Sequence, residues 1–160
     1  MRHAAMLIFV LVVTAVVGRW EAHHARHEDY AINHHARHAD YAINGIDMEM
    51  SPAEVSALLG PPKSRAERPG GFSWSWGFRT SASFHDDSRD VNLQFVDGTE
   101  LEHGTSRIRV GDGARVAWAV LGRPDASEQG AMIFSRAPLS IVVLLHDDRI
   151  TRLGLSRLRY

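Results

Sequence analysis

One stretch of the chain recurs in its second half. Residues 46–62, IDMEMSPAEVSALLGPP, align with residues 108–124, IRVGDGARVAWAVLGRP, at an offset of 62 positions. A repeat of this kind predicts two copies of one supersecondary unit that pack together. We therefore expect the chain from residue 46 onward to fold as two related halves, 46–106 and 107–160.

Each copy of the repeat predicts a short helix. In the first copy, Ser51 is a suitable N-cap and Glu54 lies three residues later, a spacing that forms a capping box. Gly60 is the predicted helix stop. In the second copy, Asp112 is the predicted cap and Gly122 the predicted stop. Both helices are thus bounded by residues that suit helix ends.

Strands are predicted to follow each helix, because apolar and polar residues alternate or apolar residues run together. Asp97-Gly98 and Asp147-Asp148 are predicted turns between strands. The predicted fold is α+β: two tandem halves, each a helix plus antiparallel strands, forming a two-layer sandwich with the helices on one face. The predicted strands cover residues 72–78, 91–95, 131–134, 140–145 and 149–155, and a further strand is predicted near Leu101.

The N-terminus predicts export. Residues 4–18, AAMLIFVLVVTAVVG, carry no charge and follow Arg2. As a helix they would span about 22 Å, less than the roughly 30 Å of a bilayer core. Two interpretations are open for residues 1–19: a cleaved signal peptide, or an uncleaved anchor that crosses the membrane as a helix. Either one predicts a periplasmic protein or one anchored in the inner membrane and facing the periplasm.

Residues 23–44, HHARHEDYAINHHARHADYAIN, repeat an eleven-residue unit with one change. Eleven residues make three helical turns at about 3.67 residues each, so each copy keeps its facing. Residues 20–43 contain no Pro or Gly, and Asn44-Gly45 is a suitable helix end. The segment 20–45 is therefore predicted to be a long histidine-rich helical stalk.

Two histidine pairs in this stalk have the i, i+4 spacing that lets two imidazoles share a metal ion. Imidazole is a good ligand for Zn, Cu or Ni. The competing interpretation, which we favour, is a solvated helix face, because each pair supplies only two ligands and a zinc site needs about four. The candidate metal ligands are His23, His27, His34 and His38.

An aromatic row is the candidate partner-binding surface. It consists of Phe72, Trp74, Trp76 and Phe78, which alternation places on one side of a strand. Large aromatic side chains contribute strongly to protein contacts. The alternative, which we favour, is that the row is the core side of the sheet beneath the helices.

Composition and motifs exclude several functions. The formal net charge is -1, which argues against nucleic acid binding, and there is no cysteine for disulfides, thiolate sites or lipid attachment. The triplet His-Asp-Asp occurs at residues 85–87 and 146–148, where we favour turns over acid/base sites. No catalytic motif is present in the sequence, so we expect a protein without enzymatic activity and without an obligatory cofactor.

The segment MEMSPAEVSALLGPP, followed by an aromatic strand and LQFVDGTEL, resembles the small outer-membrane assembly lipoproteins of the SmpA/OmlA type, also called BamE. The chain departs from that pattern at Glu49, where the family has Gly, and in having no cysteine for a lipid. The positions that match the family pattern are Met50, Ser51, Val55, Leu59, Gly60, Pro62, Asp97 and Gly98.

A doubled unit of this type is similar to the β-lactamase inhibitor protein fold, in which tandem halves form a concave protein-binding surface. The resemblance implies a protein-binding module outside the cytoplasm. The predicted function is therefore an exported or membrane-tethered interaction module, such as an accessory subunit of an envelope complex. The alternative prediction is an extracytoplasmic metal-binding protein that uses the histidine-rich helix.

Overall fold

Strands make up most of the described chain. The computed structural model describes residues 41–77, 80–86, 91–128 and 130–158. Its helices are α1 (Pro52–Leu59) and α2 (Ala114–Leu121). The strands are β1 (Tyr41–Ile43), β2 (Ile46–Asp47), β3 (Ser64–Arg68), β4 (Gly71–Ser75), β5 (Ser81–Asp86), β6 (Val91–Gly98), β7 (Glu100–His103), β8 (Ser106–Arg109), β9 (Ala126–Glu128), β10 (Ala131–Arg136), β11 (Leu139–His146) and β12 (Arg149–Arg157).

The strands form two antiparallel sheets. The small sheet has four strands in the order β2-β1-β7-β8. The large sheet has eight strands in the order β3-β4-β5-β6-β12-β11-β10-β9. In both sheets the strands of the first half of the described chain lie on one side and those of the second half on the other.

Two copies of one unit account for this order. Each unit is a hairpin, a helix and a meander of four strands: β1 to β6 with α1, and β7 to β12 with α2. The units join where β1 pairs with β7 and where β6 pairs with β12. The helices span residues 52–59 and 114–121, so they begin and end 62 positions apart.

The core lies between one face of the large sheet and the layer formed by the two helices and the small sheet. The small sheet contributes Ile43, Ile46, Leu101 and Ile108, and the helices contribute residues such as Val55 and Leu121. The large sheet supplies a continuous apolar face, as expected when one face of an antiparallel sheet is covered. Its fully buried members include Leu93, Val96, Phe134, Ile141, Val143, Leu153 and Leu155.

Helix α1 begins as predicted. The Ser51 side chain accepts a hydrogen bond from the Glu54 backbone N–H, and the Glu54 carboxylate accepts one from the Ser51 N–H at 2.8 Å. The capping box is thereby confirmed. At the other end, Gly60 has a φ of 77°, and its carbonyl accepts a hydrogen bond from Trp76 Nε1 at 2.8 Å. This bond ties the helix end to the chain that leaves β4.

Helix α2 begins differently from the prediction. Gly113, not Asp112, occupies the N-cap, and no side chain caps the helix there. The Asp112 carboxylate instead accepts a hydrogen bond from the Arg109 backbone N–H at 2.7 Å. Asp112 therefore stabilises the turn that follows β8, because its side chain folds back onto that turn instead of forward onto the helix.

The α+β prediction is wrong, since the described chain is mostly β. Both described helices have eight residues, about two turns each, while strands occupy most of the rest. Six strands lie outside the predicted ones: β1, β2, β3, β5, β8 and β9. Among them, β3 has the sequence SRAER with every residue exposed, and β9 has only three residues. Alternation detects a strand only where one face is buried, so a polar edge strand gives no signal.

The prediction of a helical stalk is also wrong for residues 41–45, the part of the stalk that the structure describes. Residues 41–43 form β1, and Asn44 and Gly45 have φ values of 51° and 78°. Two consecutive positive φ values are typical of the tight turn that joins two antiparallel strands. Asn44-Gly45 therefore closes the β1–β2 hairpin, in which Ile43 pairs with Ile46, instead of ending a helix.

Residues 1–40 lie outside the described residues, and with them the apolar run 4–18 and most of the predicted stalk. Among the described residues, none of the helices has the length and apolar character that a membrane crossing requires. The description of the protein as a helical, BamE-like molecule is corrected by the strand content of the described residues. What the structure describes is a β-rich domain with two short helices.

Asp97-Gly98 is not the hairpin turn that the sequence predicts. Both residues belong to β6, where Asp97 pairs with Ser81 of β5 and with Gly154 of β12. A Cβ added at Gly98 would lie 2.5 Å from Cγ2 of Ile43. Glycine is thus needed here because the β1 hairpin packs directly against the β6 backbone.

Candidate protein-binding surface

The predicted aromatic row lies in or against the core where it is described. Phe72 is buried, and its ring centroid is 5.0 Å from that of Phe84. Trp74 packs edge-on against Phe84 at 5.1 Å and is only partly exposed. These contacts agree with the interpretation of the row as the core side of the sheet.

Trp76 follows the end of β4 and is also partly buried, with its indole N–H held by Gly60. Phe78, the fourth member of the row, lies outside the described residues. None of the three described rings is among the large apolar side chains that the structure leaves well exposed. A partner could therefore reach little of their surface.

The candidate metal ligands His23, His27, His34 and His38 all lie outside the described residues. Their role as ligands of Zn, Cu or Ni stays a prediction. Within the described ranges, no group of three or more His, Cys, Asp or Glu side chains is arranged to hold a metal ion.

The second His-Asp-Asp triplet is a turn, as predicted. Asp147 and Asp148 have φ values of 49° and 59° and connect β11 to β12. His146 and Asp147 are both exposed, with His146 Nε2 at 3.5 Å from the Asp147 carboxylate. In the first triplet, His85 and Asp86 belong to β5, and residue 87 lies outside the described residues.

The face of the large sheet that points away from the core carries many small polar side chains, together with apolar ones such as Ile133 and Val142. We call it the serine face. Cross-strand pairs such as Ser73 with Ser83 and Ser140 with Ser156 continue one row across the sheet. Its serines are Ser64, Ser73, Ser75, Ser81, Ser83, Ser135, Ser140 and Ser156.

A buried carboxylate lies at the centre of the serine face. Asp97 is 1% exposed and accepts hydrogen bonds from the backbone N–H and the hydroxyl of Ser81. It also pairs with the guanidinium of Arg152. These partners satisfy the charge inside the sheet, as a buried carboxylate requires. Because Ser81 belongs to β5 and Arg152 to β12, Asp97 links the two units, which is a structural role.

The exposed part of the helix layer offers a better binding surface. Trp118 on α2 is 54% exposed, and its indole N–H donates a hydrogen bond to the Met132 sulfur at 2.9 Å. Only Leu58 on α1, at 49%, is a comparably exposed large apolar side chain among the described residues. The Trp118 ring is thus fixed on one edge and open to solvent on the other.

Arginines accompany Trp118. Arg115 precedes it by three residues and therefore shares its side of the helix, and Arg123 follows the helix end. Both arginines are exposed, and in the described part of the chain neither forms an ion pair. We call the set Arg115, Trp118 and Arg123 the tryptophan surface.

Several other arginines of the same unit have acidic partners, whereas Arg149 donates to the carbonyl of Gly111. Glu100 pairs with Arg109 and with Arg107, the latter at 3.4 Å. The hydrogen bond from Arg109 holds the pKa of the Glu100 carboxyl below its usual value. Arg136 pairs with Asp125 at 3.6 Å and donates to the carbonyl of Leu121 at the end of α2. Arg115 and Arg123 therefore carry positive charge that no ion pair with a described carboxylate offsets.

Sequence reasoning missed Trp118, although a signal was present. The buried residues of α2 are Ala114, Ala117 and Leu121. At about 100° per residue, Trp118 lies roughly 65° from the centre of that buried stripe. A large aromatic residue at the margin of the stripe, with Arg115 beyond it, could have been identified as half exposed.

The fold and this surface define a class: small antiparallel β proteins built from a repeated hairpin, helix and meander. No known family model matches the chain, and no curated protein matches it. The crystal structure of a DUF4309 family protein (YjgB) from Bacillus subtilis subsp. subtilis str. 168 is similar with a TM-score of 0.42 and 13% sequence identity. That match covers 66% of this chain and 77% of the other.

Proposed function

We propose that this protein is a non-enzymatic binding module that recognises an acidic segment of a partner protein through the tryptophan surface. The observation that carries the proposal is the half-exposed Trp118 ring, held by its hydrogen bond to Met132. Tryptophan and arginine are the residue types most enriched among side chains that dominate binding energy. Here both types lie together on one short helix.

The fixed ring supports binding energetically. A side chain that is already immobilised loses little conformational entropy when a partner covers it. The Leu121 carbonyl at the end of α2 is bonded to Arg136 of β10, so the helix itself is held against the sheet. A partner would therefore meet a preformed surface.

Charge supports the acidic character of the partner. Arg115 and Arg123 carry positive charge that no described carboxylate neutralises. Opposite charge on a partner accelerates association and excludes partners of like charge. The salt dependence of binding follows from the same reasoning, since exposed charges are screened by ions.

We place this role outside the cytoplasm. The support is in the sequence, where the uncharged run 4–18 follows Arg2 in the manner of an export signal. The absence of cysteine from the whole chain also leaves no thiol for oxidation in such a compartment. N-terminal sequencing of the protein recovered from the cell envelope tests this part, and protein recovered only from the cytoplasm would contradict it.

Selection of peptides from a random displayed library tests the binding proposal. The library is selected on the wild-type protein and depleted on a Trp118→Ala variant. We expect the surviving peptides to be rich in Asp and Glu and to bind less tightly as salt concentration rises. Peptides without acidic residues, or with equal affinity for both proteins, would contradict the proposal.

Leu58→Ala is the matched control. Leu58 is the other large apolar side chain exposed on a helix, and it belongs to the other unit. Leu58→Ala keeps the tryptophan surface, so depletion on this variant should remove the acidic peptides that survive depletion on Trp118→Ala. If those peptides also survive depletion on Leu58→Ala, their binding depends on exposed apolar side chains in general and not on the tryptophan surface.

A further inference from the structure

A small cavity opens at one end of the serine face, in the first unit. Its volume is about 200 Å³, and its polar lining comes from Arg68, Ser83, His85 and Gln94. These side chains belong to three different strands, β3, β5 and β6. The cavity is thus assembled by the sheet and does not depend on a single loop.

The strand register explains its shape. Arg68 pairs with Gly71, and Gly71 pairs with His85, so the three residues form one row on the same face of the sheet. With neighbouring strands about 4.8 Å apart, the backbones of Arg68 and His85 are separated by roughly 10 Å. Gly71 between them has no side chain. The row therefore forms a slot with a guanidinium on one wall and an imidazole on the other.

Gly71 is required for this geometry. A Cβ at this position would lie 2.0 Å from the Phe84 carbonyl oxygen, so no other residue fits without a backbone shift. Next to it, the His85 ring lies over the β3–β4 turn, with its Cε1 at 3.4 Å from where a Cβ of Gly70 would stand. Two glycines thus keep the slot open and let the imidazole lie close to the turn.

The Arg68 charge is available in this slot. Arg65 and Glu67 of the same strand pair with each other at 2.7 Å, and alternation places them on the other face of the sheet. In the part of the chain that the structure describes, the Arg68 and His85 side chains form no hydrogen bond or ion pair. A guanidinium, an imidazole N–H, a hydroxyl and an amide together are donors suited to oxyanions.

We propose that the slot between Arg68 and His85 binds a small oxyanion, with a carboxylate or phosphate group seated over Gly71. The volume fits a compact ligand, since it is below the roughly 300 to 1,000 Å³ of pockets for drug-sized molecules. Arg68 supplies the charge and the paired donors, and His85 and Ser83 contact the opposite side of the group. The site lies in the first unit and is independent of the tryptophan surface of the second.

Titration of the full-length protein with inorganic phosphate and, separately, with citrate tests this site. Backbone amide shifts are followed by nuclear magnetic resonance. We expect saturable shifts centred on residues 68–72 and 83–85. Saturation by phosphate alone identifies a phosphate site and saturation by citrate alone a carboxylate site. The absence of saturable shifts with either anion would overturn the proposal.

Three variants locate the binding energy. Arg68→Gln keeps a polar side chain and removes the charge, and His85→Asn keeps a polar side chain and changes the donor. We expect Arg68→Gln to weaken binding about tenfold, because charge-assisted hydrogen bonds to an anion are stronger than neutral ones. Arg149→Gln removes the same charge from an exposed arginine of β12 that forms no ion pair among the described residues, and it should change binding less than twofold. Equal losses in Arg68→Gln and Arg149→Gln would show nonspecific charge attraction, and unchanged binding in Arg68→Gln would exclude the slot. Thermal unfolding confirms that each variant is folded.

Discussion

At the scale of single residues, Gly71 is the position where backbone packing leaves least freedom. Because a Cβ would meet the Phe84 carbonyl oxygen at 2.0 Å, Gly71→Ala must separate β4 from β5 or distort both strands. We expect this variant to lose at least 2 kcal/mol of unfolding free energy, roughly the cost of overpacking a well-packed interior. Chemical denaturation measures the loss.

Gly113→Ala is the control for that prediction. The φ of Gly113 is -74°, which any residue adopts, and the nearest atom to an added Cβ is 3.9 Å away. Its unfolding free energy should stay within about 1 kcal/mol of the wild type, the range for exchanging Gly and Ala at an uncapped helix start. Equal losses in the two variants would contradict the close approach of β4 and β5.

At the scale of elements, the stabilisation of α1 by its capping box is expected to depend on pH. The hydrogen bonds from the Ser51 side chain and backbone lower the pKa of the Glu54 carboxyl below its usual 4.5. A lowered pKa in the folded state means that the carboxylate stabilises the helix above that pH. The stabilisation is lost as the pH falls through the folded pKa.

Glu54→Gln should therefore destabilise the protein at pH 7 and differ little from the wild type near pH 3. The comparison is made by chemical denaturation at both pH values. Glu128→Gln, on the exposed strand β9, is the matched control and should show no such convergence. A Glu54→Gln effect that is constant with pH would show that the capping carboxylate contributes nothing through its charge.

Elements also show which parts of the structure the sequence could predict. The ends of α1 could be predicted from Ser51, Glu54 and Gly60, because capping is a local interaction. The Asp147-Asp148 turn follows from local preference in the same way. The β1 hairpin was missed because Asn44-Gly45 suits both a helix end and a tight turn, and only the pairing of β1 with β7 decides between them.

The candidate sites were harder to predict for a physical reason. The exposure of Trp118 depends on which side of α2 meets β10. The slot depends on the strand register that puts Arg68 and His85 on either side of Gly71. Register across strands is set by packing of the whole sheet, so spacing along the chain does not contain it. The aromatic row could be identified from the sequence, but its described rings pack in or against the core.

At the scale of the whole molecule, the two units are expected to unfold together. They share a core and both sheets, and Asp97 of the first unit pairs with Arg152 of the second. Breaking a buried pair leaves an uncompensated charge and costs about 3 kcal/mol or more. We expect Asp97→Ala to lose about that much, and the double variant Asp97→Ala with Arg152→Ala to lose less than the sum of the single changes.

Denaturation followed by both fluorescence and circular dichroism tests this coupling. Coincident transitions are expected in the wild type, because a two-state protein gives the same midpoint for every probe. Additive losses in the double variant would show that Asp97 and Arg152 do not interact. Separate transitions for the two probes would show that the units fold independently.

The most direct test of the binding proposal is the dissociation constant of a selected acidic peptide, measured for the wild type, Trp118→Ala and Leu58→Ala. Truncating a tryptophan that dominates binding costs about 2 kcal/mol, so we expect about thirtyfold weaker binding to Trp118→Ala. Leu58→Ala should bind within twofold of the wild type. Equal dissociation constants for the wild type and Trp118→Ala would contradict the tryptophan surface as the site of partner recognition.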